Sequence, residues 1–346
     1  MERRTFLGSA AAAAAASAFG LPRNASAQLT IIKPKRLSAG DTVALVAPAT
    51  ATFQTVDLAI ARESLEALGL KVKFGGHLLD RHGYLAGKDK DRAADINAFF
   101  GDPSIRAVLP IRGGWGSSRL LPYLDYELIR RNPKIVLGFS DITALLLAIH
   151  AKSGLVTFHG ANGMGRWDGW SVDYLKRVLF DGQQVTMENK RELSDRNSLT
   201  QIDYRVQTIT PGTARGRILG GNLTVLTTIL GSPYLPDWNG AILFCEDIGE
   251  DPYRVDRMLT QLKLAGALAR IKGFVFGTCA ECEPGSGFAS LTLEEIFNDH
   301  IKPLGIPAWQ GAMIGHQAPQ FTIPEGIQVE IDATAGTIRM LEAAVL

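Results

Sequence analysis

The chain has 346 residues, 36 Lys and Arg against 35 Asp and Glu, a formal net charge of +1, and 46% apolar residues. So even a charge balance argues against nucleic acid as a partner. The length and apolar content suggest two domains of ordinary size, each with a real core.

The first residues, Met1-Glu2-Arg3-Arg4-Thr5-Phe6-Leu7-Gly8, carry a twin-arginine pattern followed by a weakly apolar, alanine-rich run to Phe19. Ala25-Ser26-Ala27 offers small residues for cleavage, so residues 1–27 read as an export signal, with a mature periplasmic chain starting at Gln28. A stable membrane anchor is not expected, because the run is short and interrupted by Gly8, Ser9 and Ser17. Losing the signal removes three arginines and one glutamate and takes the formal charge to −1.

Residues 28–160 alternate strand and helix signals: strands at 42–48, 71–74, 107–111 and 134–139, and helices at 56–68, 89–100 and 141–152. Strands separated by helices of this length predict a mostly parallel sheet with helices on both faces, and ligands bind such sheets at the carboxyl ends of the strands. Residues 161–208 are glycine-rich and then polar, and read as a connecting segment. Residues 209–346 carry strand signals at 240–245, 271–276, 328–331 and 337–341 and a helix at 254–265, which predicts a smaller, strand-rich mixed domain. The fold class is therefore α/β with two unequal halves.

Cys279-Ala280-Glu281-Cys282 has C-x-x-C spacing, but a zinc site needs a second ligand pair and a redox motif is expected near the opening βαβ unit. The pair reads as two unrelated small residues, although an oxidising compartment would permit a small, strained disulfide ring.

Ser140 ends the apolar run Ile135-Val136-Leu137-Gly138-Phe139 and precedes a helix, a position that exposes a hydroxyl beside the helix's first amides. The competing reading is that Ser140 or Asp141 simply caps the helix. A nucleophilic serine needs a base and a carboxylate to orient it. His316, in a Gly- and Pro-flanked loop, can reach a cleft, whereas His159 follows a strand and could be buried locally. Glu246 ends the run Ala241-Ile242-Leu243-Phe244-Cys245, with Asp247 as its competitor. Gly113-Gly114 permits close backbone approach to an oxyanion or a phosphate, or merely turns the chain. No complete nucleotide-binding glycine motif follows, and Gly138-Phe139-Ser140-Asp141-Ile142 does not match G-x-S-x-G.

Several separated segments resemble one family. They are Arg112-Gly113-Gly114-Trp115-Gly116-Ser117 with Arg119-Leu120-Leu121, Gly138-Phe139-Ser140-Asp141-Ile142-Thr143, Gly220-Gly221-Asn222-Leu223, Glu246-Asp247-Ile248-Gly249-Glu250 with Tyr253-Arg254-Val255-Asp256-Arg257, and Gly315-His316 before Pro324. From about Lys35 to the C-terminus the chain is similar to the L,D-carboxypeptidases of the serine peptidase family that includes the microcin C immunity hydrolases. The resemblance implies Ser140 as nucleophile, His316 as base, Glu246 as its orienter, and the Gly114 and Asp141 amides as oxyanion donors. It further implies a parallel-sheet first domain, a smaller second one, a murein peptide substrate losing a terminal D-alanine, no metal or cofactor, and a homodimer.

Two positions depart from the family pattern: Trp115 stands where Tyr is usual, and Gly231-Ser232-Pro233-Tyr234 replaces Gly-Thr-Pro-Tyr. Arg112, Arg119 and Arg254 are candidates to bind the substrate carboxylate. Two rival functions remain. One is hydrolysis of aminoacyl-nucleotide conjugates, with Trp167 and Trp170 available to stack a base, and the other is muropeptide binding without turnover.

Overall fold

The computed structural model describes residues 30–190, 200–201, 204–284 and 289–346. The export signal and the expected start at Gln28 lie outside the described residues. Among the described residues, no helix is long and apolar enough to cross a membrane.

The first half runs β1 (Thr42–Val46), α1 (Thr55–Ala67), β2 (Lys71–Phe74), α2 (Asp89–Gly101), β3 (Ile105–Pro110), α3 (Tyr126–Arg131), β4 (Ile135–Gly138), α4 (Thr143–Ser153) and β5 (Thr157–His159). The rest runs α5 (Gly169–Leu179), β6 (Thr186–Glu188), β7 (Gln207–Thr210), β8 (Thr213–Asn222), α6 (Leu223–Thr228), β9 (Ile242–Ile248), α7 (Pro252–Leu264), β10 (Gly273–Ala280), α8 (Leu293–His300), β11 (Ala308–Gln310), β12 (Ile323–Glu325), β13 (Gln328–Asp332) and β14 (Thr337–Met340).

Two mixed sheets result. The first has the order β12-β5-β4-β3-β1-β2, with β1 to β5 parallel and β12 antiparallel at its edge. Buried strands such as β1 and β4 read as continuous apolar runs because helices cover both faces. The second has the order β6-β14-β13-β8-β9-β10-β11-β7, parallel from β8 to β11 and antiparallel at both flanks.

Three local readings need correction. The segment taken as a connector holds α5, whose Tyr174, Leu175, Val178 and Leu179 form one buried stripe, and β6, an edge strand of the second sheet. β9 does not stop at Cys245 but runs on through Glu246 and Asp247 to Ile248, where His316 meets Glu246 Oε2 and Asn222 and Thr224 meet the Asp247 carboxylate. Cys279 and Cys282 are joined in a disulfide at the end of β10, with their Cα atoms 5.4 Å apart.

The halves are interlaced. β12 comes from the far C-terminal region yet pairs with β5 in the first sheet. Its Glu325 is completely buried, and neither carboxyl oxygen makes a hydrogen bond to the described residues. Burial therefore pushes the Glu325 pKa well above its usual range, against an opposing pull from the Gly220 amide. α4 is buried from Thr143 to His150 on every face, since it packs against β4 and β5 on one side and β8 and α6 on the other. A helix apolar all round belongs in an interior. Ser140 lies just before it, so the turn is held by both halves.

Candidate active site

β4 delivers the chain into a tight turn in which Ser140 has φ = +64°, a left-handed conformation that costs a non-glycine residue roughly 1–2 kcal/mol. The residues around it supply the room. A Cβ on Gly113 would lie 3.1 Å from Ser140 Cβ and 3.2 Å from its Oγ, so that position must be bare for the two loops to touch. Neither Ser140 nor Asp141 caps the helix with its side chain. The Asp141 carboxylate instead accepts the Ser117 N–H at 2.8 Å, and the Ser117 hydroxyl donates to the Asp141 carbonyl. These bonds tie the turn to the loop after β3. Burial raises the Asp141 pKa, opposed by the Ser117 and Gly116 groups and by Arg92.

Ser140 Oγ lies 3.0 Å from His316 Nε2, and His316 Nδ1 lies 2.8 Å from Glu246 Oε2. The sequence separations are 176 and 70 residues, and the fold closes both. Gly315, at φ = +115°, lets the loop bring His316 in: a Cβ there would stand 2.6 Å from Glu246 Oε2. The imidazole packs on Phe139 at 5.0 Å between ring centroids. Burial pulls the His316 pKa down, but the hydrogen bond and charge of Glu246, with the Asp247 charge, outweigh it and leave the pKa raised.

Strand alternation separates Glu246 from Asp247. Glu246 is fully buried beneath His316, whereas the Asp247 carboxylate accepts Asn222 Nδ2 and the Ile248 amide at 3.0 Å and both Thr224 donors at 2.9 Å. Burial and the neighbouring Glu246 push the Asp247 pKa up to about 6. His159 is fully buried inside β5, edge-on to Phe139 and Phe244, and burial lowers its pKa to about 4.

Ser140 and His316 open onto a cleft of about 450 Å³ at the carboxyl ends of β3, β4, β5, β8 and β9, with Glu246 buried behind the imidazole. Gly113, Gly114, Phe139 and Asn162 form its first-sheet wall; Asn222, Thr224, Ile248 and Glu250 form the other. Among the described residues the Gly114 and Asp141 amides donate to no other group, as expected for Asp141 at the start of a helical turn.

Arg112 and Trp115 line the cleft, and Arg112 makes no ion pair among the described residues. Arg119 is committed to Asp89 at 3.0 Å, and Arg254 lies 3.7 Å from Glu250 and 3.5 Å from Asp251. Trp167 and Trp170 do not line the cleft: Trp167 donates to the Gly163 carbonyl, and Trp170 packs on Tyr174 and Phe321. Asn162, Thr224 and Glu250 are cleft residues that sequence reasoning did not select. Asn222 stood in a quoted motif, Gly220-Gly221-Asn222-Leu223, without a role.

Residues 43–160 match the LD-carboxypeptidase N-terminal domain and residues 215–331 the LD-carboxypeptidase C-terminal domain. The chain is 40% identical to the probable murein peptide carboxypeptidase of Bacillus subtilis, covering 90% of this chain and 95% of that one. It is 33% identical to the murein tetrapeptide carboxypeptidase of Pseudomonas aeruginosa, over 82% and 91% of the two chains. Among solved structures, the microcin C7 self-immunity protein MccF in complex with aspartyl sulfamoyl adenosine superposes with a TM-score of 0.80, at 26% identity over 91% of this chain and 100% of that one. With both domain models matched in order and the relatives aligned over nearly their whole length, the chain belongs to the LD-carboxypeptidase family, peptidase S66, and is a peptidase.

Proposed function

We propose that this chain is a serine L,D-carboxypeptidase that removes the terminal D-alanine from murein tetrapeptides through an acyl-enzyme. The observation that carries the reading is the unbroken hydrogen-bonded series Ser140, His316, Glu246 at the wall of a cleft. Neutral His316 takes the Ser140 proton at Nε2 as Oγ attacks the amide carbonyl joining the penultimate residue to D-alanine. Glu246 fixes the tautomer and stabilises the imidazolium. The Gly114 and Asp141 amides are the donors for the tetrahedral oxyanion. His316 then protonates the leaving D-alanine amine, and water, deprotonated by the same nitrogen, releases the tripeptide.

Arg112, beside the nucleophile and without an ion pair among the described residues, suits the free carboxylate that defines a carboxypeptidase substrate. The names of the Bacillus and Pseudomonas relatives support murein peptide as the substrate class. Export by the twin-arginine signal read in residues 1–27 would deliver the enzyme to the compartment of that polymer. Hydrolysis of aminoacyl-nucleotide conjugates is a second reading, favoured by the likeness to MccF. The packing of the half-buried Trp167 and Trp170 away from the cleft counts against it.

The test is incubation with a disaccharide tetrapeptide bearing meso-diaminopimelate and D-alanine, followed by mass spectrometry, with Ser140→Ala in parallel. Loss of one alanine is expected from the wild type. The variant should fall by about 10⁴-fold or more. Equal turnover by both proteins would remove Ser140 from the mechanism.

A further inference from the structure

Exposed aromatic side chains gather at one rim of the catalytic cleft. Trp115 is 60% exposed, Tyr84 57% and Phe53 55%, values unusual for such large apolar groups. Trp115 and Tyr84 are neighbours in space. The Tyr84 ring stands edge-on to Trp115, with centroids 6.2 Å apart, and the Arg81 guanidinium lies over the Phe53 ring at 4.7 Å.

The rim is also built rather than loose. The Trp115 N–H donates to Thr50 Oγ1 at 3.1 Å, the Ala51 N–H donates to the Tyr84 carbonyl at 2.9 Å, and Thr50 and Leu85 form a bridge. Gly114 and Gly116, both at φ = +112°, carry Trp115 past Thr50 and Leu85, where any side chain would collide. Three chain segments thus hold aromatic faces toward solvent beside Ser140, and Trp115 belongs to both the rim and the cleft.

A cleft of about 450 Å³ matches a drug-sized portion of a ligand. A disaccharide tetrapeptide is considerably larger, so a substrate engaged at Ser140 must continue onto the surrounding surface. Indole and phenol faces are rigid and apolar with a polar edge, which suits the C–H face of a pyranose whose hydroxyls point to water.

We propose that Trp115 and Tyr84 form a sugar-binding subsite that selects tetrapeptides still carrying their glycan. This rests on the murein reading above. The experiment measures kcat/KM for the free tetrapeptide and for the same tetrapeptide bearing its disaccharide, in the wild type, Trp115→Ala, Tyr84→Ala and Trp115→Phe. The ratio of the two values is the readout, so any general loss of folded enzyme cancels. The wild type should prefer the glycan-bearing substrate by about tenfold, corresponding to roughly 1.4 kcal/mol, through KM. Each alanine variant should bring the ratio near one, and Trp115→Phe should keep most of the preference.

A wild-type ratio of one, or a ratio that both alanine variants leave intact, overturns the subsite. Light scattering that shows an oligomer dissociating in those variants while the ratio holds would make the rim a contact between copies, which also overturns it. Failure of the wild type to cleave either substrate would instead sink the murein reading itself.

Discussion

Replacing Glu325 by Gln should stabilise the protein at neutral pH and leave it nearly unchanged in acid. The carboxyl is completely buried on β12, without a hydrogen-bond partner among the described residues, and its pKa is pushed well up by burial. In the unfolded chain the same group ionises around its ordinary value of 4.5. The folded state must therefore hold a proton that the unfolded state releases. Its contribution is fully present below the unfolded pKa and is lost as pH rises toward the folded one.

Each pH unit above 4.5 over which the folded group keeps its proton costs about 1.4 kcal/mol, so a comparison between pH 5 and pH 7.5 spans at most about 3 kcal/mol. Gln has nearly the shape of the protonated acid and does not titrate. Urea denaturation of wild type and variant at pH 5 and pH 7.5 gives the comparison, as a midpoint difference at constant slope. The variant's advantage should widen by up to about 3 kcal/mol between the two. An advantage that is flat with pH, or larger in acid, would show that Glu325 ionises freely in the fold.

The remaining predictions concern the cleft. Gly315→Ala should cut kcat/KM by about 10²-fold or more while the protein stays folded, since the new methyl meets Glu246 Oε2 at 2.6 Å and displaces the His316 loop; wild-type rates in a variant with a wild-type melting curve would refute the packing argument. Because the His316 pKa is raised, the acid limb of kcat/KM should be centred above 6.5, with activity lost as pH falls through it. Glu246→Gln removes the charge that raises it, so the limb should move to lower pH while the rate drops by about 10³-fold or more; an unmoved limb would assign it to another group. Asp247→Asn should leave the triad bonds in place and change kcat by less than about tenfold, because its carboxylate serves Asn222 and Thr224 rather than His316; a loss as large as that of Glu246→Gln would exchange their roles.

The elements that bear on catalysis differ in how plainly the sequence announces them. Ser140 is legible because an apolar run, a turn and a helix are all local signals within twenty residues. The choice between Glu246 and Asp247 is not, since adjacent carboxylates differ only in which side of a strand they take, and that depends on where β9 sits in its sheet. His316 lies in a loop with no periodicity, and the resemblance to a family singled it out. β12 has three residues, too few for any pattern, and its pairing with β5 is decided by tertiary packing. α5 was available in the spacing of Tyr174, Leu175, Val178 and Leu179, but the glycines before it and the charges after it outweighed that signal. Trp167 and Trp170 looked free because aromatic residues in a polar stretch do not disclose which neighbours cover them.

The interlacing of the two halves has a consequence for synthesis. Ser140, the proposed nucleophile, is synthesised 176 residues before His316, and β12, which completes the first sheet, follows later still. On the proposed mechanism a nascent polypeptide is therefore inert until His316 and β12 have been made, and a product terminated before them has a serine with no base beside it. On the proposed mechanism, hydrolytic competence waits for the second half of the fold to close over the first.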